Sequence, residues 1–247
     1  MSYLFIIIFG LTIASFIETA AYRSSRGISI IKPPSFCDSC KTRLKIFEKL
    51  PIISYLILKG RCRYCKSRIP ARYLITEIIL PVIYVMIFKT AENPYIFIIR
   101  AYLITVMVYL SLLDIDTGYI RLPDIAFLYI GSIAFIILVL KGLTIHRILY
   151  YVYGEIIGIT LITVSFGAIY LIKKRIPMGS GDLLIIPGIS IFFGFLGTLR
   201  VLIISSTLGI FIGALLITFG IVKREHKFPL IPYLTAGIIL EFLIFSP

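Results

Sequence analysis

Eight long apolar runs constrain the fold of this chain more than any other feature of its sequence. A helix needs about 20 consecutive apolar residues to cross the ~30 Å hydrocarbon layer of a membrane. None of the runs shows the alternation with period two that is typical of transmembrane β-strands. The sequence therefore predicts an all-α polytopic membrane protein with about eight transmembrane helices. The runs are 2–22, 73–88, 95–113, 122–140, 149–172, 183–199, 201–222 and 229–245.

The composition of the chain agrees with this interpretation. Hydrophobic residues make up 59% of the 247 residues, whereas soluble domains contain about 45–50% apolar residues. The first run lacks the basic start of a cleaved signal peptide, so we expect a retained helix. The runs 73–88 and 183–199 are short, and each contains a proline, Pro81 or Pro187, at which a helix can kink.

Residues 23–72 are the one segment with an aqueous composition, and they contain all four cysteines. Two Cys-x-x-Cys pairs, Cys37 with Cys40 and Cys62 with Cys65, are separated by 21 residues. Each pair can supply two thiolates from one tight turn, which is the spacing of a four-cysteine zinc knuckle. We therefore predict a structural zinc ion, with two disulfides as the alternative. A closed shell of four sulfurs leaves no position for a bound water, so we do not expect this metal to be catalytic.

Lysine and arginine indicate the orientation of the chain. Residues 23–72 hold 13 of the 25 basic residues. If successive loops lie on alternate sides of the membrane, 20 of the 25 basic residues lie on the same side as residues 23–72. Positive loops stay in the cytoplasm, so we expect 23–72 to be cytoplasmic and both termini to lie outside. Nucleic-acid binding is not expected, because basic residues beside membrane segments face anionic lipid heads. The expected domains are a first transmembrane helix (1–22), the cysteine-rich loop (23–72) and a seven-helix membrane domain (73–247).

Five motifs follow one another along the chain: GLTIASFIETAAYR at 10–23, LPIISYLILKGRCRYCKSRIPARYLITEIILP at 50–81, SLLDIDTGYIRLPD at 111–124, GSGD at 179–182 and FPLIPYL at 228–234. In this order they resemble the motifs of bacterial type IV prepilin peptidases, also called prepilin leader peptidases. The resemblance extends over nearly the whole chain. Two positions depart from the family pattern, since Glu18 stands where the family usually carries Asn and Leu184 where it often carries Lys.

Two carboxylates are expected at one face of the membrane. Asp114 follows the third apolar run and Asp182 precedes the sixth, so the loop alternation brings both to the cytoplasmic side. An aspartyl protease needs such a pair, in which one carboxylate takes a proton from water and the other polarises the scissile carbonyl. Gly179 and Gly181 lack a Cβ, so the backbone there can approach a substrate strand.

The resemblance to the family selects Asp114 as the partner of Asp182. The family's usual spacing to the following Leu-Pro-Asp would instead select Asp116, and this alternative stays open. Asp124 is expected to open the next helix. Glu77 matches the family's membrane glutamate and is expected to support the site region.

The resemblance also implies the substrates and the setting of the reaction. Members of this family act in the bacterial inner membrane and remove a short basic leader from type IV prepilins or pseudopilins. The family often also methylates the new N-terminus with S-adenosylmethionine. Nothing in this sequence resembles a glycine-rich nucleotide loop, so methylation follows from the resemblance alone.

Two other classes of function are alternatives to a protease. A proton- or cation-coupled secondary transporter would carry its carboxylates near the bilayer midplane and would show internal repeats. No repeat is found, and the two aspartates of interest are at helix boundaries. A scaffold protein whose loop is held together by zinc would explain the cysteines but would give no function to the GSGD motif.

Overall fold

The structure is a computed structural model, and it describes residues 2–32, 34–140, 180–222 and 228–245 together with isolated positions between 149 and 164. The regular elements described in these ranges are helices, and the prediction of an all-α fold is confirmed for them. A short 3₁₀ helix at Ile46–Lys49 precedes α2. The helices are α1 (Tyr3–Ser25), α2 (Ile53–Ile57), α3 (Ala71–Thr90), α4 (Pro94–Thr117), α5 (Leu122–Leu140), α6 (Ser180–Thr218) and α7 (Ile231–Ile244).

Four of the described helices are long and apolar enough to cross a membrane, namely α1, α3, α4 and the Leu184–Thr218 part of α6. Helices α5 and α7 are also apolar but contribute shorter stretches. The run predicted at 149–172 lies mostly outside the described residues. The structure thus confirms a helical membrane protein, while the count of eight transmembrane helices stays a prediction.

Helix α6 contains both of the runs that the sequence separates at 183–199 and 201–222. Its non-helical backbone dihedrals fall at Gly194, with φ 62° and ψ −169°. A residue with a Cβ is nearly excluded from this conformation, so the position requires glycine. Pro187 lies inside α6 and Pro81 inside α3, and the helical assignment continues through both. The break in α6 is therefore at the glycine and not at the proline.

The chain forms two units, Met1–Phe97 and Ile98–Pro247. In the first unit α1 packs closely along α3, because a Cβ on Gly10 would lie 2.8 Å from the Cα of Pro81. Small residues allow such close approach between membrane helices. The rings of Phe9 and Tyr84 stack beside this contact, with centroids 6.1 Å apart.

Glu18 of α1 is fully buried and binds two side chains of α3. Its Oε2 accepts a hydrogen bond from Nε of Arg72 at 3.2 Å, and its Oε1 accepts one from Oγ1 of Thr76 at 2.6 Å. A buried carboxylate is tolerated when it is paired and hydrogen-bonded. The departure from the family's usual asparagine is thus accommodated by partners on α3.

In the second unit, the two parts of α6 are attached to different neighbours. Before the break at Gly194, the Gly188 carbonyl accepts a hydrogen bond from Ser132 of α5 at 3.0 Å. After the break, Arg200 forms an ion pair with the buried Glu241 of α7, with an Nη2 to Oε1 distance of 2.6 Å. The contact with α7 begins at the break itself, since the ring centroid of Phe193 lies 4.9 Å from that of Phe242 of α7.

Candidate metal centre and candidate active site

The four cysteines lie in two turns of the same construction. The N–H of Cys37 donates to the Thr42 carbonyl at 2.9 Å, and the N–H of Cys62 donates to the Ser67 carbonyl at 2.8 Å. Each turn is closed by an isolated antiparallel bridge between the residues that flank it. The residue after the second cysteine has a left-handed backbone in both turns, at Lys41 (φ 57°) and Lys66 (φ 60°). Each Cys-x-x-Cys pair therefore folds its two sulfurs toward one point.

The sulfurs of Cys37, Cys40, Cys62 and Cys65 all lie within 4.8 Å of one another. The Sγ–Sγ distance is 3.8 Å for Cys37 and Cys65, and it is 4.0 Å for Cys40 and Cys62. A disulfide has a length of about 2.05 Å, so the four cysteines are free thiols and not two disulfides. Four Zn–S bonds of about 2.3 Å in a tetrahedron place the sulfurs about 3.8 Å apart. The cluster therefore fits one tetrahedral metal ion.

The thiols of this cluster differ in acidity. Burial raises the pKa of Cys62 to about 11. Burial also raises the pKa of Cys37, but hydrogen bonds from the backbone N–H groups of Cys40 and Ser39 outweigh it and lower this pKa to about 6. At neutral pH the Cys37 sulfur is thus mostly a thiolate, and metal binding has to displace a proton from Cys62.

Glu77 of α3 attaches the cysteine-rich segment to a membrane helix. Its side chain is buried, and its Oε2 accepts a hydrogen bond from the backbone N–H of Ile52 at 2.6 Å. Ile52 has a φ of 62°, which is rare for a β-branched residue. Such a conformation persists where the surroundings hold it, and the bond to Glu77 is one of these restraints. Glu77 also lines a cavity of about 920 Å³ formed by α1, α3 and the segment between them.

Asp114 lies near the end of α4, in the second unit. Its side chain is 7% exposed. Its Oδ2 accepts a hydrogen bond at 3.0 Å from the backbone N–H of Ile231, the first residue of α7. The first turn of a helix has N–H groups without partners inside the helix, and these groups favour a negative charge. The start of α7 thus supplies a donor to Asp114 from 117 residues away in the sequence.

The two other aspartates of this motif have different surroundings. Asp116 is exposed in the last turn of α4. Asp124 lies in the first turn of α5, as expected, and is buried. Its Oδ1 accepts a hydrogen bond from the Tyr109 hydroxyl at 2.6 Å, and its Oδ2 accepts one from Nε of Arg121 at 3.1 Å. Asp124 therefore fastens the start of α5 to α4.

The GSGD motif spans the start of α6. Gly181 and Asp182 lie in its first turn. Gly179 lies outside the described residues, and so does the side chain of Asp182. The backbone of Asp182 is thus assigned to a helix start, and its carboxylate stays a predicted component of the site.

Helix α5 connects the helix that carries Asp114 with the start of α6. On one side, Tyr109 of α4 binds Asp124 in the first turn of α5. On the other side, the Tyr129 hydroxyl of α5 donates to the Leu184 carbonyl, close to the start of α6, at 2.8 Å. One helix therefore contacts both chain segments that carry the predicted pair.

Comparison with known proteins gives matches along most of the chain. Residues 8–91 match the family model of the bacterial peptidase A24 N-terminal domain. Three curated relatives each carry the description prepilin leader peptidase/N-methyltransferase. The Legionella pneumophila protein is 26% identical over 87% of this chain and 74% of its own length. The Neisseria gonorrhoeae protein is 25% identical over 75% of this chain and 64% of its own length. The Bacillus subtilis (strain 168) protein is 29% identical over 96% of this chain and 92% of its own length.

By this family model and these relatives, the chain is similar to bacterial prepilin peptidases. The resemblance found in the sequence motifs is thereby confirmed. No solved structure matches the chain significantly.

Two residues near Asp114 were not identified from the sequence. Ser111 of α4 and Thr235 of α7 are buried, and their hydroxyl oxygens lie 2.7 Å apart. Ser111 precedes Asp114 by one helical turn, and Thr235 follows Ile231 by one turn. The spacing of Ser111 from Asp114 places both on one face of α4 and could have pointed to Ser111. The sequence alone does not show that α4 and α7 are neighbours.

Proposed function

We propose that this chain is a prepilin peptidase, an intramembrane aspartyl endopeptidase in which Asp114 and Asp182 act as a pair. Its proposed substrates are type IV prepilins or pseudopilins, consistent with the description of its relatives. One observation carries the proposal for the site: the same helix, α5, is bonded to α4 near the buried Asp114 and to the first turns of α6. These contacts support a shared location for two carboxylates that are 68 residues apart in sequence.

In the proposed reaction, water attacks the carbonyl carbon of the scissile peptide bond. The ionised carboxylate takes a proton from this water, and the protonated carboxyl group donates its proton to the carbonyl oxygen. The tetrahedral intermediate then collapses, the C–N bond breaks, and the new amine receives a proton. Two carboxylates a few Å apart cannot both ionise cheaply, which favours this division of roles. The pair titrates as a unit, so base and acid are not assigned to single residues.

Asp114 is proposed as the partner in preference to Asp116. Its burial and its hydrogen bond from the start of α7 support this choice, because a carboxylate with a fixed donor is held in one orientation. Asp116 is exposed to solvent. We further propose that Gly179 and Gly181 let the backbone approach the substrate and that Glu77 supports the site region.

The proposed setting is the bacterial inner membrane, with eight transmembrane helices and the cysteine-rich loop in the cytoplasm. The proposed domains are 1–22, 23–72 and 73–247. The distribution of basic residues supports this orientation. A thiol reagent applied from outside the cell should label a cysteine placed at Thr144 but not one placed at Ser67; labelling at Ser67 would invert the topology.

Zinc is the proposed metal of the four-cysteine cluster, where it would fasten the two turns of the loop together. The donor set supports zinc, because thiolates in a tetrahedron are its preferred structural ligands. S-adenosylmethionine is proposed as a methyl donor from the description of the relatives, and we assign no residue of this chain to it.

The proposed function is tested with protein purified in detergent and a prepilin that carries its leader. Intact mass measurement should show the loss of the leader, and with S-adenosylmethionine present the product should gain the mass of one methyl group. A prepilin that stays intact under conditions where a known prepilin peptidase cleaves it would overturn the proposal. None of the contacts described above favours the transporter alternative.

A further inference from the structure

We infer that the first turn of α7, together with Ser111 and Thr235, is a positioning element that holds the Asp114 carboxylate in its working orientation. The inference rests on the proposed role of Asp114 in peptide cleavage. It also gives a task to the FPLIPYL segment at 228–234, which the proposed mechanism leaves unused.

The first part of this element is the backbone of α7. The N–H of Ile231 donates to Oδ2 of Asp114 at 3.0 Å. Pro232 lies in the same turn, where its fixed φ suits the start of a helix. Because this donor belongs to the main chain, the direction of its bond is set by the placement of α7 and not by a side-chain rotamer.

The second part is the hydroxyl pair one turn further into the helices. Ser111 and Thr235 share a hydrogen bond of 2.7 Å, and the Thr235 hydroxyl also lies 3.2 Å from the Met107 carbonyl of α4. Ser111 is three residues before Asp114, and Thr235 is four residues after Ile231. The hydroxyl pair is therefore on the same faces of α4 and α7 as the contact between the carboxylate and the amide.

Two contacts one turn apart restrict both sliding and rotation of α7 along α4, whereas one contact would allow rotation. Each hydroxyl also lies within hydrogen-bond distance of a carbonyl of its own helix, Ser111 2.7 Å from Met107 and Thr235 2.9 Å from Ile231. Since each hydroxyl has one proton, one of the two donates it across the helices and the other can donate to its own helix. Loss of the Thr235 hydroxyl is therefore expected to release the link between helices without unfolding α7. A misplacement of about 1 Å in a catalytic group can lower the rate about 100-fold.

The test uses the full chain in detergent and a synthetic prepilin peptide, and it measures kcat and KM separately. Thr235→Val keeps the shape of the side chain and removes the hydroxyl. We expect kcat to fall by about 10- to 100-fold with KM unchanged, because the carboxylate is displaced while substrate binding is preserved. Thr235→Ser restores the hydroxyl and should recover most of kcat. Thr207→Val is the matched control, since Thr207 is exposed on α6 and its hydroxyl bonds Ile203 of its own helix.

Ser111→Ala removes the other half of the hydroxyl pair and should lower kcat in the same way. The double variant should be little worse than either single variant, because both remove one shared contact. If Thr235→Val is not folded by circular dichroism, Ser111→Ala decides the question. Wild-type kcat in the folded hydroxyl variants, or a change in KM alone, would overturn the inference even if Asp114→Asn is inactive. Wild-type cleavage by Asp114→Asn would instead overturn the proposed catalytic pair.

Discussion

In the unit Met1–Phe97, the four cysteines that fit a metal come from two short turns. In the unit Ile98–Pro247, by contrast, the carboxylate of Asp114 is bound by a helix that begins 117 residues later in the sequence. Within each Cys-x-x-Cys turn, the position of both sulfurs is fixed by local backbone hydrogen bonds. The position of Asp114 depends instead on how α4, α5 and α7 pack.

Because the two sites are built differently, we expect them to respond differently to substitutions. A metal shell made of local turns can be lost without rearranging the second unit's helices, because its ligands belong to the first unit alone. A site made by packed helices is sensitive to small shifts in any of them, because catalysis requires precise placement of the reacting groups.

The largest effect is expected from the predicted catalytic pair. Asp182→Asn and Asp114→Asn preserve size and remove the ionisable group, so neither proton transfer can occur at the changed position. Cleavage of a prepilin, followed by intact mass, should fall by about 10²- to 10⁴-fold in each variant. Asp116→Asn is the matched control in the same turn and should cost much less.

A variant Asp182→Asn that cleaves as fast as the wild type would rule out the aspartyl mechanism. If Asp116→Asn loses activity while Asp114→Asn keeps it, the partner of Asp182 is Asp116 and not Asp114. The aspartyl mechanism would be unaffected by that result.

The second largest effect is expected on metal content and on the local order of the first unit. Purified protein should contain about one zinc per chain, as one four-cysteine shell implies. The double change Cys37→Ser and Cys62→Ser should release the metal and make the segment 23–72 more sensitive to proteases. Peptidase activity should fall far less than in the aspartate variants, because the proposed reaction does not use the metal.

Removal and return of zinc in the wild-type protein provides the control for the cysteine change. A chelator should expose the segment to proteolysis, and added zinc should protect it again in the wild type but not in the double variant. Full metal occupancy in the double variant would refute the four-cysteine site.

A smaller effect is expected at the contact between Glu77 and Ile52. Glu77→Gln keeps an oxygen that can accept the hydrogen bond from Ile52, whereas Glu77→Leu removes the acceptor and leaves the half-buried N–H of Ile52 without this partner. Loss of one such hydrogen bond costs about 1 kcal/mol. Hydrogen exchange at Ile52 should therefore be faster in Glu77→Leu than in Glu77→Gln. Equal exchange in the two variants would show that this bond does not hold the strained residue.

The sequence predicted the features that depend on short spacing or on long apolar runs. The pairing of Cys37 with Cys40 and of Cys62 with Cys65 needs only two tight turns, so it could be predicted from the spacing alone. The break in α6 could not, because Pro187 is the stronger local signal and the requirement for glycine appears only in the dihedrals of Gly194.

The environment of Asp114 also could not be predicted from the residues that surround it in the sequence. Its partner Ile231 and the nearby Thr235 follow from the packing of α7 on α4, which no sequence period encodes. For the same reason, the buried partners of Glu18 on α3 were not anticipated.

The central claim is that Asp114 and Asp182 belong to one site, and cross-linking tests it most directly. A chain with Asp114→Cys and Asp182→Cys is treated in the membrane with a short reagent that joins two thiols, and the linked peptides are identified by mass spectrometry. We predict a link between positions 114 and 182, and little or none in the control with Asp116→Cys and Asp182→Cys. Absence of the 114–182 link, with both cysteines shown to be reactive, would contradict a shared site.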